Sequence, residues 1–201
     1  MRALFLIVSL SSVPALAQEQ RLQAWFLGMA QARALGDGLV YVEFQPRGTL
    51  LPSSAAKVDQ VLLRAAVGWQ LHRAFSLWVG AAYINGEQRV FEQLFWGENF
   101  GPVRLTVRAR LEQRWLPDTE GVAHRARVQF RAAWTFKDPF LLIVYDEPFV
   151  NLQGNVFDQN RAYIAFGYRP HPKVLVELGY LNQLFATRMG HTPILTVGLG
   201  F

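Results

Sequence analysis

The sequence predicts an all-β protein: a closed, antiparallel, up-and-down transmembrane β-barrel of ten to twelve strands with a charged Arg/Glu lumen. Three observations carry that expectation. The first is an arginine hairpin. In Val103–Trp115, Arg104, Thr106, Arg108, Arg110, Glu112 and Arg114 alternate with Val103, Leu105, Val107, Ala109 and Leu111. In 122–136, Arg125, Arg127, Gln129 and Arg131 alternate with Ala126, Val128, Phe130, Ala132 and Trp134. A helix turns residues two apart by about 200° and would scatter these arginines, whereas a strand sets them all on one face. The second is an export-type N-terminus. The third is a final strand with an apolar residue at every other position, ending on Phe201.

The N-terminus comes first in the chain. Arg2, the apolar run from Ala3 to Leu10 and Ala15-Leu16-Ala17 give the basic start, short apolar core and A-x-A end of a secretory signal peptide. Cleavage after residue 17 leaves 18–201 as one barrel domain, exported in a Gram-negative cell to the periplasm, outer membrane or medium. No later stretch is long and apolar enough for a transmembrane helix. The chain of 201 residues has no cysteine, so the exported protein carries no disulfide framework and no thiolate metal site. Without Arg2 the balance is 19 basic against 15 acidic residues, and only Lys57, Lys137 and Lys173 are lysines. A nucleic-acid footprint gathers cations on one solvated face. Here arginines are spaced one apart along strands that also hold Glu, which excludes nucleic acid as the expected partner.

Alternation continues along the chain. In 21–35, Gln23, Gln31 and Arg33 oppose Leu22, Ala24, Phe26, Ala30 and Ala32, and Gly36-Asp37-Gly38 turns. In 39–47, Tyr41, Glu43, Gln45 and Arg47 oppose Val40, Val42 and Phe44, with Pro46 near the strand end. After a loop at 48–57, the stretch 59–71 sets Gln60, Arg64 and Gln70 against Val61, Leu63, Ala65, Val67 and Trp69. In 76–84, Leu77, Val79, Ala81 and Tyr83 share a face before the hairpin signal Asn85-Gly86. The strand at 87–96 has no clean parity, since Glu92 stands beside Gln93; a β-bulge would reconcile its two halves. The arginine hairpin follows, with 117–121 as its loop, and Lys137-Asp138-Pro139 turns again. Phe140–Asn151 sets Tyr145 and Glu147 against Leu142 and Val144. The strand at 157–169 sets Gln159, Arg161, Tyr163 and Arg169 against Ala162, Ile164, Phe166 and Tyr168. The strand at 173–184 sets Glu177 and Gln183 against Val174, Val176, Leu178 and Tyr180, and a longer loop is expected at 185–192.

These are eleven strand candidates of roughly ten residues, the length of a tilted membrane-crossing strand. An even strand number is the rule for single-chain bacterial barrels, so the expectation is ten or twelve. Tight turns alternate with longer loops, as in outer-membrane barrels. Trp69, Tyr83, Trp115, Trp134, Phe136 and Tyr180 fall near strand ends on the apolar parity, where interfacial girdles belong. A soluble sandwich or lipocalin-like barrel has the same alternation with the apolar face inside. Leu195, Val197, Leu199 and Phe201 favour the membrane alternative, because the pattern resembles the signal by which a last strand engages the barrel assembly machinery.

Several short motifs point to a family. Leu111-Glu112-Gln113-Arg114 within an R-x-R-L-E-x-R strand, Asp158-Gln159-Asn160-Arg161 before an aromatic strand, Leu178-Gly179-Tyr180 and the aromatic terminus all contribute. Through them the chain resembles the outer-membrane proteins grouped as domain of unknown function (DUF) 2490. The resemblance covers nearly all of 18–201. It implies an outer-membrane β-barrel and carries no activity to particular residues.

A charge facing lipid at the midplane costs about 2–4 kcal/mol, so the polar parity is expected inside. That assigns Glu43, Arg104, Arg108, Arg110, Glu112, Arg114, Arg125, Arg127, Arg131, Glu147, Arg161 and Glu177 to a lumen ionic network. The favoured reading is structural, with Arg and Glu laddered across neighbouring strands until they fill the lumen. The alternative is a narrow pore whose arginine surplus prefers small anionic solutes. A third class, an outer-membrane hydrolase, has little to build on. Past the signal, serine occurs only at 53, 54 and 76, and His72, His124, His171 and His191 stand at turns or strand ends. Asp146 and Glu147 point to opposite faces of one strand. The expectation is therefore no enzyme, no cofactor and no metal, with outer-membrane lipid as the surrounding partner.

Overall fold

The computed structural model describes residues 19–49, 57–117 and 119–200. The expected signal peptide at 1–17, most of the loop at 48–57 and Phe201 lie outside the described residues. The rest is eleven strands and their turns. They are β1 (Glu19–Arg33), β2 (Gly38–Thr49), β3 (Lys57–His72), β4 (Phe75–Ile84), β5 (Glu87–Phe100) and β6 (Val103–Trp115). There follow β7 (Ala123–Lys137), β8 (Phe140–Asn151), β9 (Phe157–His171), β10 (Val174–Phe185) and β11 (Arg188–Leu199). Each strand pairs antiparallel with the next, and the sheet closes through β1 against β11.

The strand count corrects the expectation of ten or twelve. In an up-and-down meander with an odd number of strands, the first and last run the same way, so the closing seam must be parallel. It is: Trp25 stands beside Ile194, Gly28 beside Val197 and Ala30 beside Leu199. Parallel pairing is slightly weaker per residue, but it leaves no open edge.

Two local expectations also change. β5 carries no bulge, because its register against β4 and β6 is unbroken. Its inward parity is Glu87, Arg89, Phe91 and Gln93, and Glu92 faces outward, where it accepts a hydrogen bond from Gln113 Nε2 at 3.1 Å. The mixed parity arises from a polar pair on the outer wall. The loop expected at 185–192 is instead a two-residue turn between Phe185 and Arg188.

Turns after odd-numbered strands are short throughout. The longer connections, β2 to β3, β6 to β7 and β8 to β9, start and finish on strand ends at the opposite end, called here the long-loop end. Asn85-Gly86, also at that end, makes its tight hairpin with both residues at positive φ, 45° and 89°.

The outer wall is apolar. Leu63, Val67, Phe130, Ile164, Phe166 and Leu178 are 50–67% exposed, values that place large side chains entirely on the outside. Toward the short-turn end, Trp134, Phe136, Phe166, Phe140 and Tyr168 form a chain of ring contacts 5.4–6.1 Å between centroids. Toward the long-loop end the outer wall turns polar in pairs: Glu92 with Gln113, Asp146 with Asn160, Tyr180 with His191 and His124 with Gln153. Leu195, Val197 and Leu199 lie on the outward parity of β11.

The inside has apolar side chains that the alternation gave no reason to expect. Trp25, Leu141, Ile143, Tyr163, Leu181 and Ile194 form one buried cluster, and Leu39, Ala66, Trp78 and Phe91 a second. Gly80 makes the second possible. A Cβ there would lie 2.4 Å from Phe91 Cζ and 2.6 Å from the Ala65 carbonyl oxygen.

Candidate functional site

Among the described residues the lumen is where the fold concentrates charge, and period-two geometry puts it there. β6 turns Arg104, Arg108, Arg110, Glu112 and Arg114 inward, and β7 does the same with Arg125, Arg127 and Arg131. Glu112 is the hub. Arg125 donates to its Oε2 through Nε at 3.0 Å and Nη2 at 2.6 Å. Arg127 Nη2 and Arg110 Nη1 approach Oε1 at 3.3 and 3.6 Å. Arg127 Nε also lies 3.6 Å from Glu147 Oε1, which accepts from Arg108 Nη2 at 2.8 Å. Arg125 Nη1 donates at 2.8 Å to Asp158. Asp158 is the extra residue where Phe149 pairs Gln159 and Val150 pairs Phe157.

Smaller groups flank this network. Arg131 Nη2 donates to Glu177 at 2.6 Å, and Tyr163 Oη to the same carboxylate at 3.2 Å. Arg64 and Tyr41 both donate to Glu43. Arg114 Nε and Arg89 Nε donate to Glu87 at 2.5 and 2.8 Å. Arg104 is at the short-turn mouth, exposed, 3.2 Å from the Asn99 side-chain oxygen. Arg161 stands opposite Glu147 in the β8–β9 ladder, has no carboxylate oxygen within 4.0 Å and lies 4.7 Å from the Phe149 ring centre.

Charge alone does not fill the space. Glu112, Glu147 and Glu177 are 1–2% exposed, and Arg110, Arg125 and Arg127 are 4–5% exposed, so mid-lumen solvent scarcely reaches them. Guanidiniums stack on the inward aromatics: Arg110 lies 4.2 Å from Phe91, and Arg125 and Arg127 lie 5.1 and 5.0 Å from Phe149. At these distances the ring quadrupole attracts the cation and takes over part of what water would supply. A cavity of about 1500 Å³, lined in part by Arg110, Arg125, Arg127 and Glu147, extends to turn residues of both ends, including Asn85 and Pro117 at one and Gly101 and Lys173 at the other.

Glu87, Arg64, Asp158 and Arg47 belong to this lumen although the hairpin pattern did not single them out. Glu87, Arg64 and Arg47 sit on an inward parity, and that is the signal that could have found them. Asp158 reaches in through a bulge, and inward Phe91, Phe149 and Trp25 look like any outward aromatic in the sequence.

Ser76 Oγ accepts from Trp78 Nε1 at 2.8 Å, while His72 Nδ1 faces the Ala74 amide at 3.4 Å. Among the described residues no cluster of three or more His, Asp or Glu could hold a metal ion.

A family model described as "Protein of unknown function (DUF2490)" matches residues 22–192. An uncharacterized protein of Methylorubrum extorquens strain AM1 is 32% identical over 175 residues, spanning 77% of this chain and 75% of that one. Among solved structures, a NanC porin in a rhombohedral crystal form superposes with a TM-score of 0.54 at 8% identity. That superposition covers 82% of this chain and 89% of the porin. At such low identity the likeness concerns the fold.

Proposed function

The chain belongs to the DUF2490 family, and from that premise we propose that it is an integral outer-membrane β-barrel protein with a structural, non-catalytic role. An Arg/Glu ionic network, packed against inward aromatics, occupies the middle of its lumen. The observation that carries this reading is the contrast between the two walls. The outer wall exposes Phe130, Ile164, Phe166 and Leu178, while the inner wall buries Glu112 and its arginines to a few per cent exposure. In water that arrangement would hide charge and display oil; in a bilayer it satisfies both solvents. The polar pairs near the long-loop end fit strands that rise beyond the hydrocarbon on the outer side. Residues 1–17 are the export signal in this reading, and the outward stripe of Leu195, Val197 and Leu199 with Phe201 engages the assembly machinery.

A second reading is a narrow, anion-preferring channel, favoured by the cavity that reaches both mouths and by arginines in excess of lumen carboxylates. Two experiments address these readings. Membrane fractionation and comparison of boiled with unboiled gel mobility test the bilayer placement; a protein soluble without detergent would sink it. Planar-bilayer recording of the folded protein separates the readings, since a packed lumen gives no unitary steps. Reproducible steps with anion selectivity would replace the structural reading by the channel.

A further inference from the structure

We propose that the lumen holds a binding site for a small hydroxycarboxylate, built from Arg47, Arg161, Trp25, Gln45 and Gln159 toward the long-loop end. The site borders the Glu112 network, since Arg161 shares the Phe149 ring with Arg125 and Arg127, and it requires only the closed barrel, not transport through it.

The two arginines share one indole. The Arg47 guanidinium carbon lies 4.1 Å from the Trp25 ring centre and that of Arg161 lies 5.5 Å from it. They come from different sides of the closing seam: Arg47 is the β2 partner of Trp25, and Arg161 reaches over from β9. Neither has a carboxylate oxygen within 4.0 Å among the described residues. Every other charged cluster in the lumen is organised around a Glu. Here two cations meet with no carboxylate in contact, Glu147 standing opposite Arg161 in the β8–β9 ladder but beyond 4.0 Å, although like charges repel and buried charge is costly without a partner. Arg47 spends Nε and Nη2 on the neutral Gln45 oxygen, at 3.2 and 2.7 Å.

The polar atoms left over describe the missing group. Trp25 is 6% exposed and its indole N–H has no partner; Arg161 Nε–H is buried and has none. Both are donors, and with two guanidiniums they ask for an oxyanion. Gln159, 5% exposed, has an unpartnered Oε1, an acceptor that asks for a hydroxyl. A carboxylate bearing a nearby hydroxyl answers both demands, whereas a bare halide answers only the charge. All five residues line the lumen cavity, so a solute has room to arrive.

The test is ligand binding by the refolded full barrel in detergent, by calorimetry at constant ionic strength, with sodium gluconate, sodium acetate and sodium chloride as probes. Saturable gluconate binding, tighter than acetate and absent for chloride, is the expected result. Arg161→Gln is expected to weaken it by about tenfold or more, since it removes a charge-assisted donor. Arg104→Gln, at the opposite mouth, leaves it unchanged. Both Arg161→Gln and Arg47→Gln are expected to fold, because each removes one of two facing cations. If gluconate binds no better than chloride, or both variants fail to fold, the pair is structural and the proposal is wrong. Binding is read independently of bilayer conductance, so loss of one reading does not entail loss of the other.

Discussion

Glu112→Gln removes the charge at the hub of the lumen without changing its volume. The wild-type carboxylate, 1% exposed, has Arg125 at 2.6 Å, Arg127 at 3.3 Å and Arg110 at 3.6 Å. At an effective dielectric near 20, an ion pair at such separations carries about 5 kcal/mol of attraction before desolvation is subtracted. Breaking a buried pair while leaving its partner charged costs about 3–5 kcal/mol. The amide keeps an oxygen for Arg125 but turns an NH₂ toward Arg127 and Arg110, donor against donor. A loss of about 3–5 kcal/mol is therefore expected, a large part of the about 5–15 kcal/mol that holds a typical domain together. The assay is urea unfolding in lipid vesicles, followed by tryptophan fluorescence and by the gel shift of the folded form. Adding Arg110→Met should recover part of the loss, because it withdraws one orphaned cation and leaves a side chain to cover Phe91. Glu92→Gln, on the outer wall, should stay within about 0.5 kcal/mol of wild type. A Glu112→Gln protein as stable as wild type, or Arg110→Met deepening the loss, would refute the hub.

Three further expectations test the other walls of the barrel. Gly80→Ala places a methyl 2.4 Å from Phe91 and 2.6 Å from the Ala65 carbonyl oxygen, and should cost about 1–3 kcal/mol in the same unfolding assay. Trimming Phe91 to Leu should restore only part of that, since the backbone oxygen remains. Val79→Arg, on the outward face of β4, should destabilise the vesicle-inserted protein by about 2–4 kcal/mol, and no penalty in vesicles would argue against lipid on that face. Deleting Phe201 should lower the heat-modifiable, membrane-assembled fraction in cells, and unchanged assembly would leave the terminal aromatic without that role.

Much of the fold was legible because a strand repeats every two residues. The arginine hairpin, the outward stripes of β4 and β11 and the Asn85-Gly86 turn were all readable in this way. β5 resisted, since Glu92 lies outside with Gln113 and Phe91 lies inside beneath Arg110. A parity rule assumes that polar means inside and apolar means outside, and both residues break it. Of the site, the inward arginines and Glu112, Glu147 and Glu177 could be named in advance, but their partners could not. Arg131 of β7 meets Glu177 of β10, and Arg108 of β6 meets Glu147 of β8, so neither pair joins adjacent strands. Side chains long enough to cross a curved lumen choose partners by height and reach, which no ladder pattern encodes.

By itself the sequence determined which residues share a face in most strands, where most turns fall and that a charged parity runs opposite an apolar one. These follow from local backbone geometry and from the cost of placing charge in oil. Tertiary structure decided the rest: eleven strands closed by a parallel β1–β11 seam, Glu112 as the shared carboxylate, and Arg47 brought beside Arg161 over one indole. Closure is a property of the whole ring. Residues at opposite ends of the chain become neighbours only when the last strand finds the first, and the lumen contacts are fixed only after the ring has a circumference.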